Sequence, residues 1–223
     1  MNDIQSQKKE LRLAYKARRR ELDQEYRRDA DRAIRETVLA SALWKNAKRV
    51  FLYVSMWEEP DTRALIETAL REGKRVYVPL CCPDRVMKAI RIRSLDELRP
   101  GMLNIPEPPA ENEAAAPGEL SLAVVPCVTA TAEGARLGYG GGYYDRFLNL
   151  HRCPTICLCY GRILAETLPA DENDVRMDVV ITENSAIKAA DPFHPGKGWN
   201  GSQRKSPESV WRTVCTSLPL KKP

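Results

Sequence analysis

Histidine is scarce in this 223-residue chain: His151 and His194 are the only two. Two imidazoles cannot build a His-rich metal site. They leave little room for histidine acid–base chemistry, although one could still act. Cysteine is present without a framework. The seven, Cys81, Cys82, Cys127, Cys153, Cys157, Cys159 and Cys215, are odd in number and lack the C-x2-C spacing of a zinc site. Cys153, Cys157 and Cys159 fall in CPTICLCYG, which reads as a buried strand with small core side chains. No run approaches the roughly 18 apolar residues of a membrane helix. The N-terminal MNDIQSQKKELR has no apolar stretch behind its charges, so it does not read as a secretory signal. The expectation is a cytoplasmic protein with no membrane partner.

What is present suits one globular domain, or at most two small ones: 43% hydrophobic and 29% charged residues. The net charge is +5 and unevenly placed. Residues 184–223 carry Lys188, Lys197, Arg204, Lys205, Arg212, Lys221 and Lys222 against Asp191 and Glu208, which accounts for all of it. Residues 1–183 are therefore neutral, and an anion would be held there by a local arrangement of charges. The basic KARRREL stretch is offset by Glu21, Asp23, Glu25, Asp29 and Asp31. No one-sided field for a nucleic-acid partner results.

Residues 4 to about 40 have helical periodicity, with Leu11, Tyr15, Leu22, Tyr26, Ile34 and Val38 on apolar positions and a break near Leu22–Tyr26. Apolar, β-branched runs predict strands at Arg49–Met56, Arg75–Cys81, Met87–Ile92, Leu120–Val128, Thr155–Tyr160 and Met177–Ile181. Helices are expected from Pro60–Asp61 to Arg71, capped by Asp61 or Glu59 and closed by Gly73, and from Tyr143 to Leu150. Residues 101–119 read as a surface loop. Strands alternating with helices predict a three-layer α/β/α fold with a mainly parallel sheet and N-terminal helices. The domain is expected to span 1–183, followed at 184–223 by a Pro-, Gly-, Ser- and Lys-rich, irregular and flexible basic tail.

The densest chemical signal is GARLGYGGGYYDR, residues 134–146. Gly138, Gly140, Gly141 and Gly142 lie between a buried strand and a helix. Glycine permits positive φ and lets backbone N–H groups converge on an anion, beside the positive end of the helix. Arg136 adds a phosphate contact, and Asp145 is placed to hold Mg²⁺ against phosphates. A glycine cluster alone is equally a flexible turn; its strand–loop–helix setting, with Arg before and Tyr-Tyr-Asp after, favours the anion cradle. It lacks the Lys-Ser/Thr of a Walker A loop and follows a late strand, unlike the dinucleotide fingerprint.

RLGYGGGYYDR also resembles the signature of the 5-formyltetrahydrofolate cyclo-ligase family. Lys8 and Arg12 in KKELR resemble its N-terminal K-x-x-x-R, FLYVSMWEEPDT (51–62) its first strand and folate loop, and PADENDVRMDVVIT (169–182) its closing segment. The resemblance implies ATP- and Mg²⁺-dependent closure of 5-formyltetrahydrofolate, with or without a polyglutamate chain, to 5,10-methenyltetrahydrofolate, through a phosphorylated formyl group and in a monomer. It implies ATP contacts at Lys8, Lys9, Glu10, Leu11, Arg12, Arg136, Leu137, Gly138, Tyr139, Gly140, Gly141, Gly142, Tyr143 and Tyr144. Folate contacts are implied at Arg12, Val54, Met56, Trp57, Glu59, Tyr139, Gly140, Gly141, Gly142 and Tyr143. Lys8, Arg136 and Tyr143 are the implied catalytic residues and Asp145 and Asp174 the Mg²⁺ ligands, with Asp178 structural or supporting. One of Tyr143 and Tyr144 is expected to face the ligand and the other the core. Some members have basic residues where this chain has Tyr139 and Gly141, which shifts phosphate neutralisation to Arg136, Lys8, Arg12 and the metal. A sugar-phosphate isomerase or binding protein of similar architecture is the alternative; it would not need Lys8, Arg12, Asp145 and Asp174 together.

Overall fold

The computed structural model describes residues 3–101 and 105–189. In chain order the elements are α1 (Asp3–Arg20), α2 (Gln24–Ala40), α3 (Ala42–Asn46), β1 (Arg49–Leu52), α4 (Arg63–Arg71), β2 (Arg75–Cys81), β3 (Met87–Ile92), β4 (Arg99–Pro100), β5 (Pro106–Glu107), β6 (Leu122–Val125), β7 (Thr129–Ala130), β8 (Arg136–Leu137), α5 (Tyr143–His151), β9 (Thr155–Leu158), β10 (Val179–Ile181) and β11 (Ala186–Lys188). The break between the first two helices falls where expected, because the Asp23 side chain caps α2 by accepting from Tyr26 N–H.

Seven strands form the central sheet in the order β11-β10-β9-β6-β1-β2-β3. The five inner strands run parallel, and β3 and β11 pair antiparallel at the two edges. Strands β6, β9 and β10 are buried along their whole length, which explains their unbroken apolar runs. The crossover through α4 carries the chain from β1 to β2, and the one through α5 carries it from β6 to β9, in the opposite direction. Right-handed connections put α4 and α5 on opposite faces, giving the expected three layers. Phe147 of α5 packs on Phe51 of β1, ring centroids 4.5 Å apart. The adjoining strands β1 and β6 thus form the topological switch point, where the loops leaving their carboxyl ends diverge and open a crevice.

Several boundaries differ from expectation. Strand β1 ends at Leu52 rather than Met56, because side chains take over its backbone bonding: Ser55 N–H donates to Thr62 Oγ1, whose hydroxyl donates to Tyr53 O. Strand β6 stops before Pro126, which has no N–H to donate. Helix α4 starts at Arg63. Its N-cap is Thr62 rather than Asp61 or Glu59; Asp61, one residue earlier, accepts from Arg63 N–H at 3.0 Å, and Glu59 turns back to Met56 N–H. The sheet continues to Lys188, past the boundary expected at 183, in a strand too short to carry a pattern. The short β7–β8 hairpin also lacks sequence periodicity. It turns through Gly134 at φ +84°, where a Cβ would collide with Met177 O. Part of the 101–119 loop lines the sheet edge: Ala115 N–H donates to Ala89 O at 2.9 Å. From residue 190 the expected tail, with His194 and Cys215, lies outside the described residues.

Candidate active site

A cleft of about 970 Å³ lies over the switch point. One wall is α1. Lys8, Arg12, Lys16 and Arg19 recur at three- and four-residue steps and so share a face, which lines the cleft. Lys8 is buried and its Nζ donates to Asp171 Oδ2 at 2.7 Å and Asp174 Oδ2 at 2.5 Å. Burial disfavours the Lys8 ammonium, but both carboxylates outweigh it and hold its pKa above the ordinary lysine value. The Lys8 hydrogen bond holds Asp171 below the usual carboxylate range. Arg12 Nε donates to Gly138 O at 2.8 Å, which fastens the helix to the glycine loop. Lys16 sits over the Tyr139 ring, 5.0 Å from its centroid; burial, then Arg19, Arg12 and Arg20, push its pKa down. Lys9, Glu10 and Leu11 do not reach the cleft. Successive helical residues turn by about 100°, so three residues after Lys8 face elsewhere; their implied ATP contacts are not brought together here.

The glycine loop is the second wall. Gly140 at φ +98° and Gly142 at φ +69° occupy the left-handed region, which a Cβ would strain. Gly142 caps α5 without a side chain, leaving first-turn N–H groups uncapped by any residue of the loop. At Gly141 a Cβ would stand 2.8 Å from the Tyr143 ring, so this glycine allows the ring to close onto the loop. Tyr143 and Tyr144 both line the cleft and both pack on the core; the expected division between them is not seen. Leu137 is buried in β8, beneath the loop.

Arg136, expected as a fixed phosphate contact, lines the cleft but is held from behind by the protein. Its side chain is only 2% exposed, and its Nη2 donates to Asp145 Oδ1 at 2.8 Å. Nη1 donates to Pro126 O at 3.3 Å, and a Cβ at Gly138 would lie 2.9 Å from that same nitrogen. Arg136 is therefore a cation set under the loop. Asp145 Oδ1 also accepts from Val175 N–H, and Asp174 Oδ2 accepts from Lys8 and from Asp171 N–H. The bonds of each aspartate converge on one oxygen. Both carboxylates line the cleft, a donor set that fits Mg²⁺, which binds through one or two carboxylates plus water and phosphate oxygens.

The third wall follows β1. Val54 is buried at its foot, and Met56 and Trp57 line the cleft. Trp57 is 72% exposed at φ +48°, a strained backbone for a bulky residue. Glu59 is 9% exposed. Its Oε2 accepts from Met56 N–H at 2.9 Å and its Oε1 from the Tyr139 hydroxyl. Burial raises the Glu59 pKa. Asp178 does not line the cleft: it accepts from Thr155 N–H and Oγ1, joining β9 to the start of β10. His151 stacks on Phe147 and does not line the cleft. Cys157 and Cys159 are buried free thiols as expected, and so is Cys127; Cys153, expected to be buried in the same strand, is half-buried and precedes β9. Among the described residues no helix is long and apolar enough to cross a membrane.

Lys16, Arg19 and Asp171 also line this site, beyond the residues marked by sequence. Helical spacing from Lys8 and Arg12 could have found the first two. Asp171 sits in a loop that has no such signal.

Comparison with protein families matches residues 4–183 to the 5-formyltetrahydrofolate cyclo-ligase family. The 5-formyltetrahydrofolate cyclo-ligase of Mus musculus is 30% identical over 197 residues, 82% of this chain and 96% of the mouse protein. That of Mycolicibacterium smegmatis is 32% identical over 191 residues, 82% of this chain and 96% of the relative. Among solved structures, 5,10-methenyltetrahydrofolate synthetase from Aquifex aeolicus superposes with a TM-score of 0.74 at 30% identity, covering 84% of this chain and 95% of the other.

Proposed function

The chain belongs to the 5-formyltetrahydrofolate cyclo-ligase family, enzymes of folate one-carbon chemistry, and from that membership we propose that the cleft binds ATP and Mg²⁺ and closes 5-formyltetrahydrofolate to 5,10-methenyltetrahydrofolate through a phosphorylated formyl group. The formyl oxygen attacks the γ-phosphorus and the bond to ADP breaks. The N10 nitrogen then attacks the activated formyl carbon, the carbon–oxygen bond to phosphate breaks, and N10 loses its proton. ADP and inorganic phosphate leave with the methenyl product.

Phosphoryl transfer asks mainly for positioning and charge neutralisation. The supporting observation is the Arg12–Gly138 bond, which lays the cationic face of α1 on the glycine loop. Lys8, Arg12 and the N–H groups of Gly138–Gly142 and α5 hold the phosphates. Tyr143 packs against the loop that carries them, and Arg136 supports that loop and orients Asp145. Asp145 and Asp174 would hold Mg²⁺, which when bound supplies further neutralisation of phosphate charge. Glu59 accepts hydrogen bonds from the pterin's N–H groups, and Val54, Met56 and Trp57 form the apolar wall beside its ring. The reading includes a monomer in the cytoplasm acting on the mono- or polyglutamyl substrate.

The test mixes purified protein with 5-formyltetrahydrofolate, ATP and Mg²⁺ and follows methenyl-folate absorbance. Product is expected only with all three present, and its absence would overturn the reading.

A further inference from the structure

Three residues from three walls of the cleft form one hydrogen-bonded chain. Arg19 is 4% exposed, a costly place for a charge without partners. Its Nη1 donates to Cys127 O at 3.0 Å, two residues past β6, and its Nη2 donates to Tyr139 Oη at 2.9 Å. The Tyr139 hydroxyl, in turn, donates to Glu59 Oε1. Backbone Met56 N–H holds the other carboxylate oxygen.

The direction of this chain is fixed by proton count. A guanidinium can only donate, so the phenol oxygen accepts from Arg19 and sends its single proton onward. Glu59 must then accept at Oε1, and it accepts again at Oε2. Both bonds favour the carboxylate, whose two oxygens only accept.

We propose that Arg19 is a positioning residue for the folate substrate, acting through Tyr139 to keep Glu59 ionised and aimed at the pterin's N–H edge. This rests on the reading of Glu59 as the pterin acceptor. A carboxylate can receive those N–H groups, whereas a protonated carboxyl would present a donor to donors. Arg19 is therefore tied to recognition of the ring rather than to phosphate.

The surroundings of Glu59 make the device necessary. The groups that act on it are Tyr139 from the glycine loop, Arg19 from α1, Tyr53 at the end of β1, Cys127 two residues past β6 and Tyr144 from α5. Burial, and less strongly Cys127, push the Glu59 pKa up; the hydrogen bonds from Tyr139 and Met56 N–H oppose this, and Arg19 adds the permanent positive charge on the same side. Burial also raises the pKa of Tyr139, so its hydroxyl keeps the proton it relays.

The experiment measures kcat and KM for 5-formyltetrahydrofolate and for ATP between pH 5.5 and 8.5. It compares the full chain with Arg19→Met, Arg19→Lys, Tyr139→Phe and the Arg19→Met/Tyr139→Phe double variant. Arg19→Met is expected to raise the folate KM by about tenfold, with much smaller changes in ATP KM and kcat. The acid limb of kcat/KM for folate should move to higher pH, because the folate-competent carboxylate now protonates sooner. Tyr139→Phe, which changes one atom and guards against misfolding of the arginine variant, should move the limb the same way. The double variant should show less than the sum of the single effects, and Arg19→Lys should restore part of the loss. A rise in ATP KM instead, additive effects, or an unmoved acid limb in both single variants would overturn the proposal. Failure of the unaltered protein to form product would overturn the cyclo-ligase reading itself, and is told apart by that control.

Discussion

Lys8 Nζ stands 2.5 Å from Asp174 Oδ2 and so ties the first helix to the segment that closes the fold. The same nitrogen holds Asp171, so one buried ammonium neutralises two carboxylates beside the cleft.

This contact gives stability a pH plateau. Asp171 has a depressed folded pKa, so its contribution is full above the unfolded value of about 3.9 and is lost as pH falls through the lower folded value. Lys8 has a raised folded pKa, so its contribution is full below about 10.4 and is lost as pH rises through the higher folded value. Thermal unfolding across pH should show weakening at both ends, and Lys8→Met should flatten both. An unchanged profile in the variant would show that the ion pairs do not couple to folding. The same variant should raise the KM for ATP.

Two glycines of the loop separate backbone strain from function. Gly142→Ala places a side chain at φ +69° where no atom lies within 4 Å, so its cost is conformational, about 1 kcal/mol. Gly140→Ala at φ +98° is also strained and meets the Arg12 guanidinium at 3.4 Å. Similar losses in Tm are expected, with the larger fall in ATP-dependent turnover for Gly140→Ala. Equal turnover losses would mean that the Arg12 contact does not matter to the loop.

Arg136 and Asp145 act together. Arg136→Met leaves the Asp145 carboxylate without its guanidinium and should cost about 2 kcal/mol of stability as well as turnover. Asp145→Asn keeps a similar shape and should lose turnover with a smaller stability change. Asp178→Asn weakens a carboxylate that accepts from Thr155, so it should lower Tm while leaving both KM values near the original. Denaturant titrations beside steady-state kinetics check all three. A folate or ATP KM effect at Asp178 would misplace the site.

Trp57 offers a test in which stability and binding move apart. Trp57→Gly relieves roughly 1–2 kcal/mol of left-handed strain against roughly 0.5–1 kcal/mol of added chain entropy. With 72% of the side chain exposed, little packing is lost. Tm is expected to hold or rise by about 2–4 °C, while the KM for 5-formyltetrahydrofolate rises several-fold. A marked drop in Tm would assign Trp57 to packing instead.

The residues themselves determined much of this. Unbroken apolar runs marked the central strands, because strands covered on both faces need no polar alternation. The glycine cluster marked the loop, because only glycine tolerates Gly140 and Gly142 in their conformations. The family resemblance marked Glu59, Asp145 and Asp174, which the cleft does bring to its walls. The charge excess lies wholly in residues 184–223, so residues 1–183 are neutral and anions there meet local charges rather than a general basic field.

Only the tertiary structure decided which charges are open and which are committed. Sequence cannot show that Arg136 is spent on Asp145 beneath the loop, or that Lys8 is shared by Asp171 and Asp174. Nor can it show that Arg19 of α1 reaches a tyrosine 120 residues away and, through it, Glu59. Such partners are distant along the chain and meet because the switch point of the sheet gathers loops from separate crossovers. Local periodicity carries information over a few turns or strands. Long-range pairing depends on how the layers pack, and that is where the working electrostatics of this cleft are set.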